Sequence, residues 1–225
     1  MSLRQGGRVT VYTTRESQRE FASWSRRYDR DPLQWLFFKP THRRILRQIR
    51  VTDLRILDIG CGTGQFATKV LRRFPEARLI GLDLCESMLK KASDRAGGRF
   101  ATVRADSQRL PFADDSFDIV TCSHSFHHYP DQPRVVAEMY RVLRPGGRLL
   151  IADGDRDGLW GRLIFDGIVV ALEGAVKHLP LADFRELLSR SGFESIEQSR
   201  RRGLLPFAIT IGTAAKNRSQ MRQAG

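Results

Sequence analysis

The sequence is poor in cysteine and has no long apolar run. Its 225 residues include three cysteines, Cys61, Cys85 and Cys122. An odd number without paired spacing builds neither a disulfide framework nor a zinc pattern. The opening residues MSLRQGGRVTVY contain no apolar stretch of the kind a secretory signal needs. The most apolar later stretch, Leu163 to Leu172, is too short to cross a bilayer and is interrupted by Asp166. These absences speak against a disulfide-stapled secreted module and against a membrane-spanning protein. They predict a chain of the reducing cytoplasm, with peripheral contact at a membrane surface left open. Internal repeats and low-complexity tracts are missing as well.

Acidic residues are scarce at both ends. Residues 1–50 hold 12 Lys/Arg against 4 Asp/Glu, and residues 200–225 hold 6 Lys/Arg and no acid. The formal net charge of +13 therefore sits almost wholly on the ends, around a near-neutral centre. Such ends are either solvated surface and tail or a footprint for an anionic partner: phospholipid, nucleic acid or an acidic substrate.

What is present is an alternation of strand and helix patterns from residue 54 onward. Strand-like runs are Arg55–Gly60, Arg78–Asp83, Phe100–Arg104, Phe117–Cys122 and Arg148–Ala152, the last entered through the turn Pro145-Gly146-Gly147. Helical patterns lie between them at Thr63–Phe74, Ser87–Ala96 and Pro133–Leu143. The alternation predicts an α/β fold, doubly wound and Rossmann-like, with a mostly parallel sheet and helices on both faces. After Asp153 come an apolar helical segment over Leu159–Leu179, a helix over Ala182–Ser191, and strands at Phe193–Gln198 and Leu205–Thr213, making seven strands in all. Residues 16–50 read as helical with breaks near Pro32 and Pro40, and Phe21, Trp24 and Tyr28 share one helical face. This organises the chain as a basic, aromatic helical lid (1–50), a main domain (51–215) with an apolar insertion near 158–180, and a basic disordered tail (216–225).

The central feature is Leu57-Asp58-Ile59-Gly60-Cys61-Gly62-Thr63-Gly64, followed by Asp83, 19 residues after Gly64. A glycine-rich turn between strand and helix lets backbone approach a bound nucleoside closely, and a carboxylate at the next strand end accepts hydrogen bonds from a ribose diol. Dinucleotide sites space their glycines GxGxxG so that a pyrophosphate sits on the helix N-terminus. Here the third glycine comes one residue early, which favours an adenosine-type cofactor without phosphate.

LDIGCGTG, GLDLCESML, ADSQRLPFADDSFDIV and MYRVLRPGGRLLI, in this order, resemble the class I S-adenosylmethionine-dependent methyltransferases. Within them the chain is most similar to the branch of the ubiquinone/menaquinone-biosynthesis C-methyltransferases. The resemblance covers residues 54–153 and continues weakly to about 213. It implies S-adenosyl-L-methionine as cofactor, with Gly60 and Gly62 along its methionine half and Thr63 in the loop beside it. Asp58 is implied as an indirect anchor near the methionine amino group. Asp83 would hold the ribose hydroxyls and Leu84 would pack on the adenine. Asp106 and Ser107 would sit at the adenine edge, although Asp106 also suits a turn cap. Ser123 would face the reacting methyl.

A general base is needed only where the acceptor must lose a proton. The segment Cys122-Ser123-His124-Ser125-Phe126-His127-His128-Tyr129-Pro130 follows the fourth strand, at the sheet edge where ligands bind. His124 and His127 are the candidate bases, against a purely structural role for the histidine pair. No metal site is expected, since no carboxylate or thiolate stands at ligand spacing from these histidines. The tetrapeptide Ser123-His124-Ser125-Phe126 lacks the proline pair of the enzymes that methylate nucleobase amines, which weighs against a nucleic acid acceptor. In the resembled fold the acceptor is covered by the N-terminal lid and the segment after the fifth strand. Here these carry Phe21, Trp24, Tyr28, Trp35, Phe37 and Phe38 among arginines, and the apolar run Leu159–Leu179. Together they favour a small, apolar or lipid-like acceptor, and the basic, aromatic lid also suits contact with an anionic membrane. RNA or another anionic macromolecule as acceptor, and a non-catalytic S-adenosylmethionine-binding protein, are the alternatives.

Overall fold

The structure is a computed structural model and describes residues 32–173 and 176–215. The face Phe21, Trp24 and Tyr28 and the tail 216–225 lie outside the described residues, as do the side chains of Trp35 and Phe37.

Helix α1 (Pro32–Gln48) leads into β1 (Arg55–Ile59), α2 (Gln65–Arg73), β2 (Arg78–Asp83), α3 (Glu86–Ala96) and β3 (Ala101–Arg104). Then follow β4 (Phe117–Ser123), a 3-10 turn (Phe126–His128), α4 (Gln132–Val142) and β5 (Leu143–Gly154). The remainder is α5 (Leu159–Arg162), a π-helical turn (Leu163–Ile168), α6 (Val169–Glu173), α7 (Leu181–Arg190), β6 (Phe193–Arg201) and β7 (Phe207–Ala214). The seven strands form one sheet in the order β3-β2-β1-β4-β5-β7-β6. The first five strands pair in parallel. β7 runs antiparallel to both β5 and β6, so the expected mostly parallel, doubly wound sheet is present.

The period-2 geometry of the strands divides the core. Leu57 and Ile59 of β1 join Val120, Cys122, Leu149 and Ile151 under α4 and α7, which contribute Val135, Val136, Met139, Phe184 and Leu188. Their neighbours Ile56, Ile119, Leu150 and Ala152 point to the opposite face, under Ile45 of α1, Ile49 just after it, and Phe66, Val70 and Leu71 of α2. Both faces are covered, which accounts for strands that read as almost continuous hydrophobic runs.

Several expectations are corrected. Pro40 does not break the first helix but lies inside α1. The residues just after it are held by burial, with Thr41, His42, Ile45 and Ile49 packed inside, and this packing outweighs the missing amide donor. The segment Pro145-Gly146-Gly147 is not a turn before the fifth strand; it is a bulge within β5, where pairing jumps from Phe117↔Leu143 to Ile119↔Arg148. Among the described residues the apolar segment is helical over 159–173, and residues 176–180 carry neither helix nor strand before α7. Among the described residues no helix is long and apolar enough to cross a membrane.

Candidate functional site

The carboxyl ends of β1, β2 and β4, with the loop after β3, border one cleft. It encloses about 820 Å³ of empty space, its open mouth included. Its walls include Gly60, Gly62, Asp83, Leu84, Asp106, Ser107, Ser123 and His124. Asp58 and Thr63 line a smaller adjoining pocket, which also touches Gly60, Gly62 and Ser123 and is bounded by Phe38 and His42 of α1. All the expected cofactor residues are thus brought together, divided between two connected hollows.

The glycine loop follows from its backbone. Gly60, Gly62 and Gly64 have φ of +68°, +53° and +73°. A Cβ on Gly60 would lie 2.2 Å from Ser125 Oγ, so that residue needs both the left-handed backbone and the missing side chain. The helix begins only at Gln65, after Gly64, rather than at Thr63.

Asp83 is fixed by backbone: its Oδ2 accepts from Gly62 N at 2.9 Å and its Oδ1 from Cys85 N at 2.9 Å. Burial raises its pKa, opposed by the amides of Cys85, Gly62 and Leu84. These bonds leave lone pairs of the carboxylate toward the cleft. Asp58 is buried and accepts from Thr121 Oγ1 at 2.7 Å. Burial pushes its pKa up to about 7, with the Thr121 hydrogen bond opposing and the nearby Asp83 charge adding to the rise. Ser123 Oγ is buried with no hydrogen-bond partner at the junction of the two hollows. Asp106 lines the cleft and also caps its own turn, accepting from Gln108 N at 2.9 Å and from the Gln108 amide at 3.2 Å.

The two candidate bases differ. His124, at φ +55°, is bonded through Nε2 to Thr41 Oγ1 at 3.0 Å and packs on the Phe38 ring at 4.8 Å. Burial lowers its pKa to about 4, despite the Asp153 charge. Its ring is thus favoured in the neutral form in this arrangement. His127 is not on the wall of the cleft. Its Nδ1 lies 2.5 Å from Asp153 Oδ1, and its backbone amide donates to Asp153 Oδ2 at 3.0 Å. Burial alone would raise the Asp153 carboxyl, but the charge and hydrogen bond of His127 outweigh it and hold it below the usual carboxylate range. His178 completes the group, its ring stacked on His127 at 4.2 Å.

Sequence spacing missed Asp153 and His178. Asp153 stands near the end of β5, the strand beside β4, and that adjacency is the signal that could have found it. The carboxylate thought absent near the histidines therefore arrives from another strand. His127, Asp153 and His178 bring ligand-type atoms within 4.8 Å of one another. The nearly parallel His127 and His178 rings, 17° apart, and the short His127–Asp153 contact suit an ion-paired hydrogen bond better than tetrahedral coordination.

Residues 57–151 match the family model described as a methyltransferase domain. A demethylmenaquinone methyltransferase of Deinococcus radiodurans is 37% identical over 141 residues, covering 56% of this chain and 58% of that protein. A phthiotriol/phenolphthiotriol dimycocerosates methyltransferase of Mycobacterium leprae is 40% identical over 115 residues, covering 50% of this chain and 42% of that protein. The chain thus spans about half the length of the curated relatives it matches. In fold it is similar to the magnesium protoporphyrin IX methyltransferase of Synechocystis, solved with bound SAH, at TM-score 0.74 and 17% identity over 90% of this chain and 100% of that one.

Proposed function

We propose, from the match of residues 57–151 to the methyltransferase-domain family model, that the protein is an S-adenosylmethionine-dependent enzyme that methylates a small, apolar or lipid-like acceptor. The observation that carries this reading is the gathering of Gly60, Gly62, Asp83, Leu84, Asp106, Ser107 and Ser123 on one cleft wall.

The donor set fits the cofactor. Asp83 offers free lone pairs to a ribose diol, and Leu84 offers an apolar face to adenine. Asp106 accepts from an exocyclic amine with the valence its turn leaves over. Asp58 answers an ammonium group: a nearby cation favours its ionised form and reverses the effect of burial. Ser123 Oγ, buried without a partner, finds one in a polar ligand group. Gly60, Gly62 and Thr63 let the main chain lie against the methionine half.

S-adenosylmethionine, when bound, supplies a methyl group on a sulfonium that is open to in-line displacement. The protein's share is orientation and the exclusion of water. Where the acceptor must lose a proton, His127 takes it. Asp153 orients the imidazole and stabilises its charged form, as the orienting member of a base–orienter pair does. His128 lines the cleft and its ring lies against that of His127, with centroids 4.2 Å apart and planes tilted by 43°. The relatives whose names specify demethylmenaquinone and phthiotriol dimycocerosates support an acceptor with a long apolar portion. Such an acceptor resides in a membrane, and peripheral contact with an anionic leaflet suits the net charge of +13.

The test is calorimetry with S-adenosylhomocysteine and with NADH, followed by transfer of labelled methyl to a prenylated hydroquinone and to structured RNA. Binding of the first ligand alone and labelling of the hydroquinone are expected. Absence of S-adenosylhomocysteine binding would sink the assignment; labelling of RNA alone would replace the acceptor class.

A further inference from the structure

Four of the large apolar side chains that the fold leaves in water lie on two segments that one hydrogen bond joins. Leu159 is 88% exposed, Trp160 49%, Leu163 56% and Leu204 71%. Leu159 and Leu163 are one helical turn apart and share a face. Leu204 belongs to the connection between β6 and β7, 44 residues from Trp160, yet the Trp160 indole Nε1 donates to the Leu204 carbonyl at 3.1 Å. Two separate elements are thus tied into a single apolar apex.

The apex has a basic rim. Arg162, Arg201 and Arg202 are exposed beside it. Of the acids nearby, Asp155 is bonded by Arg200 at 2.6 Å and Asp166 by Arg156 at 2.6 Å, while Asp157, two residues before Leu159, sets one carboxylate against the three arginines. Leucines at a tip, an indole that is half in and half out, and flanking guanidinium groups make a surface suited to an interfacial lipid region. The same helical stretch has a buried side. Phe165 packs on the His178 ring at 4.7 Å, and His178 stacks on His127. The outer wall of the apex therefore backs onto the histidine cluster.

We infer that this apex, formed by the start of the 159–173 helical stretch and the β6–β7 connection, is the surface that seats the protein on an anionic lipid leaflet. The inference rests on the membrane contact proposed above and moves it from the N-terminal aromatics to this end of the fold. Leu159, Leu163 and Leu204 enter the acyl boundary, Trp160 lies at the headgroup level, and the three arginines meet lipid phosphates. A lipid-borne acceptor would then be presented on the side of the molecule that carries His127.

The experiment uses the full chain with vesicles of phosphatidylcholine, with and without phosphatidylglycerol, at low and high salt. Wild type should partition onto the anionic vesicles on the order of a hundredfold better than onto neutral ones at low salt. Leu159→Glu with Leu204→Glu should lower that partitioning at least about tenfold. Val51→Glu with Leu54→Glu, at exposed apolar positions elsewhere, should leave it unchanged. S-adenosylhomocysteine affinity, measured on every variant, reports folding and keeps failure of this inference distinct from failure of the cofactor assignment. If the leucine pair fails that control, Arg201→Gln with Arg202→Gln decides instead, by a loss of the salt-dependent part of partitioning. No partitioning of wild type at low salt, or equal partitioning of wild type and folded apex variants, overturns the proposal. So does a wild-type dimer that Leu159→Glu with Leu204→Glu converts to monomer, since the apex would then join two copies of the chain.

Discussion

Replacing Asp58 by Asn should make the ligand-free protein more stable, and by an amount that depends on pH. Asp58 is 2% exposed, and burial pushes its pKa up to about 7 from the ordinary carboxyl value of 3.8. A carboxyl whose folded pKa is raised adds no penalty below its unfolded pKa. The penalty grows as pH rises from about 4 to about 7 and is complete above that. At about 1.4 kcal/mol per pH unit, the cost of keeping this charge buried is on the order of 4 kcal/mol at pH 8 and about 2 kcal/mol at pH 5. Asn keeps the shape and can still accept from the Thr121 hydroxyl, but carries no charge. Denaturant unfolding of both ligand-free proteins from pH 5 to pH 8 should therefore give curves that diverge with rising pH. Altered packing would displace the curves in parallel, so only the divergence carries the test; parallel or coincident curves refute the reasoning. The same substitution should weaken S-adenosylmethionine binding at pH 8, because the ammonium loses its counter-charge.

Other outcomes can be checked more simply. Asp83→Ala should weaken S-adenosylhomocysteine binding by roughly 1–3 kcal/mol by calorimetry, through loss of charge-assisted hydrogen bonds. Gly60→Ala forces a Cβ onto Ser125 at a φ of +68°; cofactor affinity should fall and thermal stability drop by about 1–3 kcal/mol. Asp153→Asn should lower kcat more than it changes KM for an acceptor that loses a proton and should alter the kcat–pH profile, whereas His124→Gln should leave the shape of that profile intact. Asp53→Ala strips the partner from buried Arg148, whose pKa burial already lowers; about 3–5 kcal/mol of stability should be lost in chemical denaturation.

The parallel part of the sheet and the cofactor loop were legible because both are local. Strand, glycine turn, helix and acid follow one another within Arg55–Asp83, and each leaves its own mark on residue choice. The His127–Asp153–His178 cluster was not legible, since its members come from three segments and meet only when β4 and β5 pair and residues 176–180 fold back. Pro40 misled because a propensity argument sees the lost amide and not the burial of Ile45 and Ile49. Asp106 was readable both as ligand and as turn cap; its geometry includes the cap while leaving it on the cleft wall.

The placement of β7 has a bearing on how the chain matures as it leaves the ribosome. Strand order and chain order disagree at this edge: β6 is made before β7, yet it joins the sheet only through β7. Until Phe207–Ala214 has emerged, β5 has an open edge and β6 has no partner in the sheet. The last strand thus acts as a keystone, and a nascent chain stalled before residue 207 presents two adhesive edges at once.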